Sequence, residues 1–333
     1  MASGALEITY RKALPGGYAV LRVAGGPSFE AEPGQFVMIR GDWGFSPFLP
    51  RPFSLAAVES GEITLLLRVV GEGSRRLAAV QRGDKIQIHG PLGKPFRPAA
   101  DGEHLLLVGG GVGIAPLLFL ARRTGRRGGQ SVTVLYGGRT RRDLPLATEL
   151  ASAAAQVTFT TEDGSAGETG LVTDAVTSLV GRTTFDRIVA CGPWPMMAAV
   201  ARIAAQVGVA CEVSLENMMA CGYGVCLGCA VRASGGGFVY ACSDGPVVDA
   251  RVVDWETGEP FIPLSAPRAV RKAAEPASRS GAGKPGVSPT EAQTQPKAGN
   301  LSAEGSPSSK PGSASVEAAA PPKPPKPREG APK

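Results

Sequence analysis

The chain has 333 residues and a formal net charge of +6 at pH 7, a length that corresponds to about two domains at roughly 150 residues each. Residues 264–333 hold 11 Lys and Arg against 5 Asp and Glu, so the rest is neutral, which argues against a folded basic face for nucleic acid. No apolar run reaches the ~18 residues of a membrane span, and MASGALEITY lacks the basic and apolar regions of a secretory signal, so a cytoplasmic protein with reduced thiols is expected.

Residues 5 to about 98 read as short strands between Gly and Pro turns, with 17–23, 35–40, 62–70 and 85–89 the clearest. Such spacing predicts a small antiparallel barrel or sandwich. Only 75–81 reads as helical there. RPFSL (51–55) follows a proline-rich loop. By itself it reads as a turn with a surface arginine. Arg51 nevertheless has the fork that grips a pyrophosphate, and Ser54 a hydroxyl for a ring nitrogen.

From about 101 the pattern changes to apolar strands alternating with helical stretches. LLLVGG (105–110), VTVLYGG (132–138), VTFTT (157–161) and RIVACG (187–192) are the strands. This alternation predicts a parallel, doubly wound sheet. GGGVGIAP (109–116) stands at a strand-to-helix junction, where free amides and the helix dipole favour a pyrophosphate. It departs from G-x-G-x-x-G at Ala115 and Pro116, so alone it is also an ordinary glycine-rich turn. CGPWPMM (191–197) stands at a second such junction. In a doubly wound sheet both would meet at one crevice beyond the strand ends. Arg139, Arg141 and Arg142 follow the second of these strands and leave NADP as open as NAD. Cys191 and Cys211 read as small buried residues.

Cys221, Cys226, Cys229 and Cys242 follow a C-x4-C-x2-C-x12-C spacing. The first three members reproduce the plant-type [2Fe–2S] spacing, and Gly222, Gly224 and Gly228 let the loop backbone approach a cluster. Structural zinc sites usually use two short C-x2-4-C pairs, and disulfides do not suit reduced thiols. The iron–sulfur reading makes this a protein that moves electrons singly.

RPFS, GEGS (71–74), GPLG (90–93), GGGVGIAP and CGP in this order resemble the ferredoxin–NADP reductase superfamily. The resemblance covers about residues 5–210. SLENMMACGYGVCLGCAV (214–231) and TEDGSAGETGLVTD (161–174) look like the electron-transfer subunits of two-subunit, NAD-linked dihydroorotate dehydrogenases, and extend it to about 255. It implies a multidomain α+β chain. An FAD-binding β-barrel would span 1–100, an NAD-binding doubly wound α/β domain 101–212, and a small [2Fe–2S] domain 213–262. A disordered tail rich in Pro, Ala, Ser and Lys would span 263–333, since it has no aromatic residue to build a core.

By the same resemblance, Arg51, Pro52, Phe53 and Ser54 cradle FAD, and Leu67, Arg68, Val69, Gly73 and Ser74 complete its contacts. Gly110, Gly111 and Gly113, with Cys191, Gly192 and Pro193, line the nicotinamide side, and the four spaced cysteines hold the cluster. The chain would carry electrons between an FMN-containing partner that oxidises dihydroorotate to orotate and NAD+, in a two-plus-two heterotetramer. It would contain no pyrimidine-oxidising base, and neither His89 nor His104 is given a catalytic role. The alternatives are a reductase subunit serving a hydrogenase or a ferredoxin-linked transhydrogenase, and a zinc-stapled nucleotide-binding regulator. In some hydrogenase and transhydrogenase relatives an aspartate takes the position of Cys221, and the cysteine here favours the dihydroorotate branch.

Overall fold

A computed structural model describes residues 2–125 and 131–257. The expected tail at 263–333 and the last residues of the expected cluster domain lie outside the described residues.

Six antiparallel strands close an N-terminal barrel: β1 (Ala2–Leu14), β2 (Tyr18–Ala24), β3 (Phe36–Arg40), β4 (Arg51–Glu59), β5 (Glu62–Arg68) and β6 (Lys85–Leu92). Their order around the barrel is β1-β2-β5-β4-β3-β6. Side chains alternate across each strand, as the pleat requires. In β6, Ile86 and Ile88 are buried while Lys85 and Gln87 face solvent. Leu21, Val37, Ile39, Leu55, Leu65 and Leu67 fill the interior, each contributing about 1.5–3 kcal/mol by leaving water. Helix α1 (Glu72–Ala79) adds Leu77 to this core. It starts before the expected 75–81 because Ser74 Oγ accepts hydrogen bonds from the Val70 and Gly71 amides and caps its first turn.

Residues 51–55 are not the turn they resemble in isolation. They open β4, where Phe53 pairs with Val37 and Ser54 with Phe36. Pairing with β3 decides their conformation, and the local sequence cannot report it.

The second unit of the fold is a seven-stranded sheet. Six strands run parallel: β7 (His104–Gly110), β8 (Ser131–Gly138), β9 (Gln156–Thr161), β10 (Glu168–Thr169), β11 (Arg187–Cys191) and β12 (Ala210–Ser214). After β12 come a hairpin of β13 (Ala230–Arg232) and β14 (Phe238–Tyr240), then β15 (Val247–Asp249), which pairs antiparallel with β12. The order is β10-β9-β8-β7-β11-β12-β15. The chain leaves β7 in one direction through β8, β9 and β10, then returns to its other side at β11. The switch point therefore lies between the carboxyl ends of β7 and β11, where such sheets bind ligands.

Helix α2 (Ile114–Gly125) is apolar on nearly every side because it is buried on nearly every side. It packs between the sheet, through Leu117 and Leu118, and the barrel, through Phe119. Helices α3 (Ala147–Ala151), α4 (Val172–Val180) and α5 (Trp194–Val207) complete the wrapping. At the amino ends of the strands, Arg187 is 1% exposed. Its guanidinium donates to Glu103 at 3.0 and 3.2 Å, to the Arg97 carbonyl at 2.8 Å and to Glu212. Buried charge survives only with this degree of pairing.

Candidate functional site

The two glycine turns of the α/β unit meet at the switch point. A side chain at Gly113 would fall 2.4 Å from the Cys191 carbonyl oxygen, and one at Gly192 would fall 3.0 Å from the Gly110 Cα. The turns thus pack backbone against backbone. The spacing of two glycine-rich motifs some 80 residues apart reports this contact correctly. Gly110, Gly111, Gly113, Gly192 and Pro193 are brought together. Cys191 is 2% exposed and lies behind the turn; burial pushes its thiol well above the ordinary range.

Beside these turns an open cleft, with a cavity volume of about 150 Å³, separates the barrel from the sheet. From the barrel, Pro52, Phe53, Ser54 and Arg68 line it. Val112 and Gly113 line the opposite side, and the segment from Leu215 to Met219 forms its end. Apolar walls with a few convergent polar groups are what a planar cofactor ring needs. Of the other residues expected at the flavin, Leu67 turns its side chain into the barrel core and is fully buried, so only its backbone faces outward. Ser74 spends its hydroxyl on the α1 cap. Gly73 lies under Arg51, since a Cβ there would fall 2.4 Å from Arg51 Nε. Arg51 itself is held by the Leu49 carbonyl.

Sequence reasoning missed Glu216. It follows β12, lines the cleft, and presents to it the part of its surface that is still exposed. Burial pushes its carboxyl up to about 7, against a lowering by Arg68. Nothing in its neighbours along the chain marks this, because the surroundings come from β5 and the glycine turn.

The cysteine loop leaves the same cleft. Asn217 is 7% exposed. Its amide donates to the Ala230 carbonyl at 3.1 Å, and its Oδ1 accepts from the Met218 amide at 2.7 Å, which fixes the start of the loop. The loop rests on the barrel: a Cβ at Gly222 would lie 2.6 Å from Met38 Cγ, and the Tyr223 ring stands edge-on to His89 at 5.9 Å. Gly222 and Gly224 have φ of +89° and +88°, a conformation costly for other residues.

The four sulfurs form two pairs. Cys229 and Cys242 Sγ are 3.2 Å apart, and Cys226 is close enough to Cys221 to lower the pKa of its thiol. The Gly224 amide donates to Cys242 Sγ at 3.1 Å and the Cys242 amide to Cys229 Sγ at 3.4 Å. Burial raises the Cys221 thiol, but the amides of Cys226, Tyr223 and Val225 outweigh it and bring it to about 6. The thiolate is the metal ligand. Two thiolate pairs with amides aimed at the sulfurs fit a [2Fe–2S] cluster, in which each iron takes two protein ligands. Among the described residues, no three His, Cys, Asp or Glu side chains converge on one ion.

His104 is structural: its Nε2 lies 3.1 Å from Thr133 Oγ1 and its ring packs on Phe185. Of the three arginines past β8, Arg139 Nε is 3.4 Å from Asp143 Oδ2, while Arg141 and Arg142 face solvent.

Residues 216–254 match the family described as the iron–sulfur cluster binding domain of dihydroorotate dehydrogenase B, and residues 107–202 match the oxidoreductase NAD-binding domain. The chain is 42% identical over 224 residues to the electron transfer subunit of dihydroorotate dehydrogenase B (NAD(+)) of Caldanaerobacter subterraneus subsp. tengcongensis, covering 66% of this chain and 86% of that one. Identity to the subunit of the same name from Desulforamulus reducens is 37% over 231 residues, covering 68% and 88%. Among solved structures, one reported for flavin-based electron bifurcation by the NADH-dependent reduced ferredoxin-NADP oxidoreductase superposes with a TM-score of 0.70. It is 32% identical and covers 82% of this chain and 97% of that one. A ferredoxin NADP+ reductase from Neisseria gonorrhoeae with bound FAD and NADP shares the fold alone, at TM-score 0.52 and 20% identity over 62% of this chain and 92% of that one. With cleft, glycine crevice and paired cysteines in one chain, this protein belongs to the family of dihydroorotate dehydrogenase B electron transfer subunits.

Proposed function

We propose that this chain is the cytoplasmic electron-transfer subunit of an NAD-linked dihydroorotate dehydrogenase. The carrying observation is the succession of three sites in one chain: glycine crevice, cleft and cysteine loop. Met219 lines the cleft and stands two residues before Cys221. When bound, FAD would exchange electrons in pairs with NAD(H) and singly with a [2Fe–2S] cluster.

The chain's own residues bind, orient and exclude water. Pro52 and Phe53 supply an apolar wall, and Ser54 and Arg68 supply the polar groups facing it. Arg51 is available for the flavin's pyrophosphate, together with Val69 and the turn at Gly73 and Ser74. The α2 amino terminus and the turn at Gly110, Gly111 and Gly113 take the nicotinamide pyrophosphate, where free amides face anions. Gly192 and Pro193 close that turn from behind. Glu216 holds or releases a proton at the cleft near neutral pH. Cys221, Cys226, Cys229 and Cys242 hold the cluster. We divide the chain accordingly at about residues 100, 212 and 262.

The partner is an FMN-containing subunit that oxidises dihydroorotate, joined in a two-plus-two assembly. Tyr223, Val225 and Leu227 stand between the first three cysteines and are 57%, 74% and 52% exposed, an apolar rim for such a partner around the exposed Cys226. The similarity to the ferredoxin-NADP oxidoreductase structure over 82% of this chain supports a second reading, a flavin and iron–sulfur reductase subunit serving a hydrogenase or a ferredoxin-linked transhydrogenase. An anaerobic visible spectrum with NADH titration tests the shared chemistry, and co-purification tests the partner. A flavin band with an iron–sulfur shoulder, both bleached by NADH, is expected. Cys226→Ser keeps the flavin band and loses the shoulder. A colourless chain after reconstitution with FAD, iron and sulfide overturns both readings.

A further inference from the structure

One carboxylate ties the barrel to the nucleotide-binding turn. Asp143 is 8% exposed and lies past β8. Its Oδ1 is 3.6 Å from Arg68 Nη2 and accepts a hydrogen bond from the Tyr18 hydroxyl at 3.3 Å, both groups belonging to the barrel. Its Oδ2 faces Arg139 at 3.4 Å. Around it, the hydroxyl of the fully buried Tyr136 lies 2.9 Å from the Gly111 carbonyl oxygen, inside the glycine turn, and 3.1 Å from the Pro145 carbonyl oxygen, with one proton to donate between them. A Cβ at Gly111 would sit 3.3 Å from the Tyr18 hydroxyl, and one at Gly16 would sit 2.5 Å from the Arg142 carbonyl. The junction is closely packed. Arg68 lies over the Tyr18 ring at 5.5 Å and reaches the cleft, where it acts on Glu216.

We propose that Asp143 is a positioning residue for hydride transfer: from the nucleotide-binding domain it holds Arg68 at the flavin cleft, in register with the Gly110–Gly113 turn. This rests on the reading of the cleft as the flavin site. Arg68 is a long side chain with several rotatable bonds, and the Asp143 contact and the Tyr18 ring select its rotamer. A guanidinium so fixed is a preorganised charge beside the ring that is reduced, which is where electrostatic help is greatest. Arg139 shares the same carboxylate from the solvent side, so nucleotide phosphates that draw Arg139 away leave Asp143 more strongly committed to Arg68.

The test is a double-mutant cycle on the full chain carrying flavin and cluster, with NADH as the probe. The limiting rate of flavin bleaching is measured by stopped flow at saturating NADH. Asp143→Asn slows it about tenfold in the native background, the effect of losing one partly buried ion pair at the cleft. In an Arg68→Gln background the same change costs less than about twofold, because the residue through which Asp143 acts is gone. Equal losses in both backgrounds, or no loss in either, overturn the proposal: a merely structural aspartate gives additive effects. If Asp143→Asn does not accumulate folded, the cycle is run with Tyr18→Phe, which removes one hydrogen bond to the same carboxylate and obeys the same criterion. A native chain that retains no FAD overturns the flavin reading and the proposal with it. FAD retained with additive losses overturns the proposal alone.

Discussion

Glu216→Gln isolates one titrating group at the cleft. The ordinary value for a glutamate is 4.5, and burial raises this one to about 7 despite Arg68. At 1.36 kcal/mol per pH unit that shift is about 3 kcal/mol, and nearer 2 once the solvent-facing side of the carboxyl is considered. The folded state binds the proton more tightly than the unfolded state does. Below pH ~4.5 both states are protonated and the full stability is present. Between about 4.5 and 7 the unfolded chain ionises first, so stability falls as pH rises, and above about 7 the loss is complete. Glutamine cannot ionise and removes this slope. Urea unfolding of the native chain and of the Glu216→Gln variant at intervals from pH 5 to 8.5 measures it. The native chain loses about 2 kcal/mol relative to the variant across that range. The rate of NADH-driven flavin bleaching carries an inflection near pH 7 in the native chain and none in Glu216→Gln. Parallel stability curves and an inflection surviving in the variant would refute the assignment of the raised pKa to this carboxyl.

Gly73→Ala sets a methyl group against Arg51 Nε and displaces the guanidinium from the flavin side. FAD affinity falls about tenfold, as for one lost charge-assisted contact, measured by flavin fluorescence on dilution. Arg187→Met leaves Glu103 buried at 6% exposure with Arg97 as its remaining ion-pair partner. Breaking a buried network by one member costs about 3–5 kcal/mol, or roughly 6–20 °C in Tm for a folded region of this size. Because this network lies at the amino ends of the strands, away from the crevice, NADH oxidation at low temperature is unchanged, and a calorimetric scan with an activity assay separates the two effects.

Chemistry confined to a short stretch was legible in advance. The C-x4-C-x2-C loop needs its ligands and its glycines close together, so their spacing alone announced a cluster. The junctions at 109–116 and 191–197 were legible for a related reason: a strand ending in glycine before an amphipathic helix is a local pattern, and a doubly wound sheet aligns all its carboxyl ends. Short runs at 35–40 and 85–89 between turn signals showed the barrel strands, since strand and turn preferences act over a few residues. RPFSL by itself reads as a turn because its strand partner, β3, is separated from it by a loop.

What only the tertiary structure decided is the placement of groups whose environment is assembled from distant elements. Tyr18 and Asp143 are 125 residues apart and share a hydrogen bond. Glu216 acquires its raised pKa from atoms of the barrel and the glycine turn, and nothing in SLEN distinguishes it from a surface glutamate. The pairing of Cys229 with Cys242 depends on the β13–β14 hairpin bringing Cys242 back to the loop. Patterns with a short repeat or short spacing are written along the chain, because helix, strand and loop geometry act over a few residues. Charge networks and the walls of a cleft arise where sequence-distant surfaces are pressed together, and the burial that changes their chemistry exists only after the chain has folded.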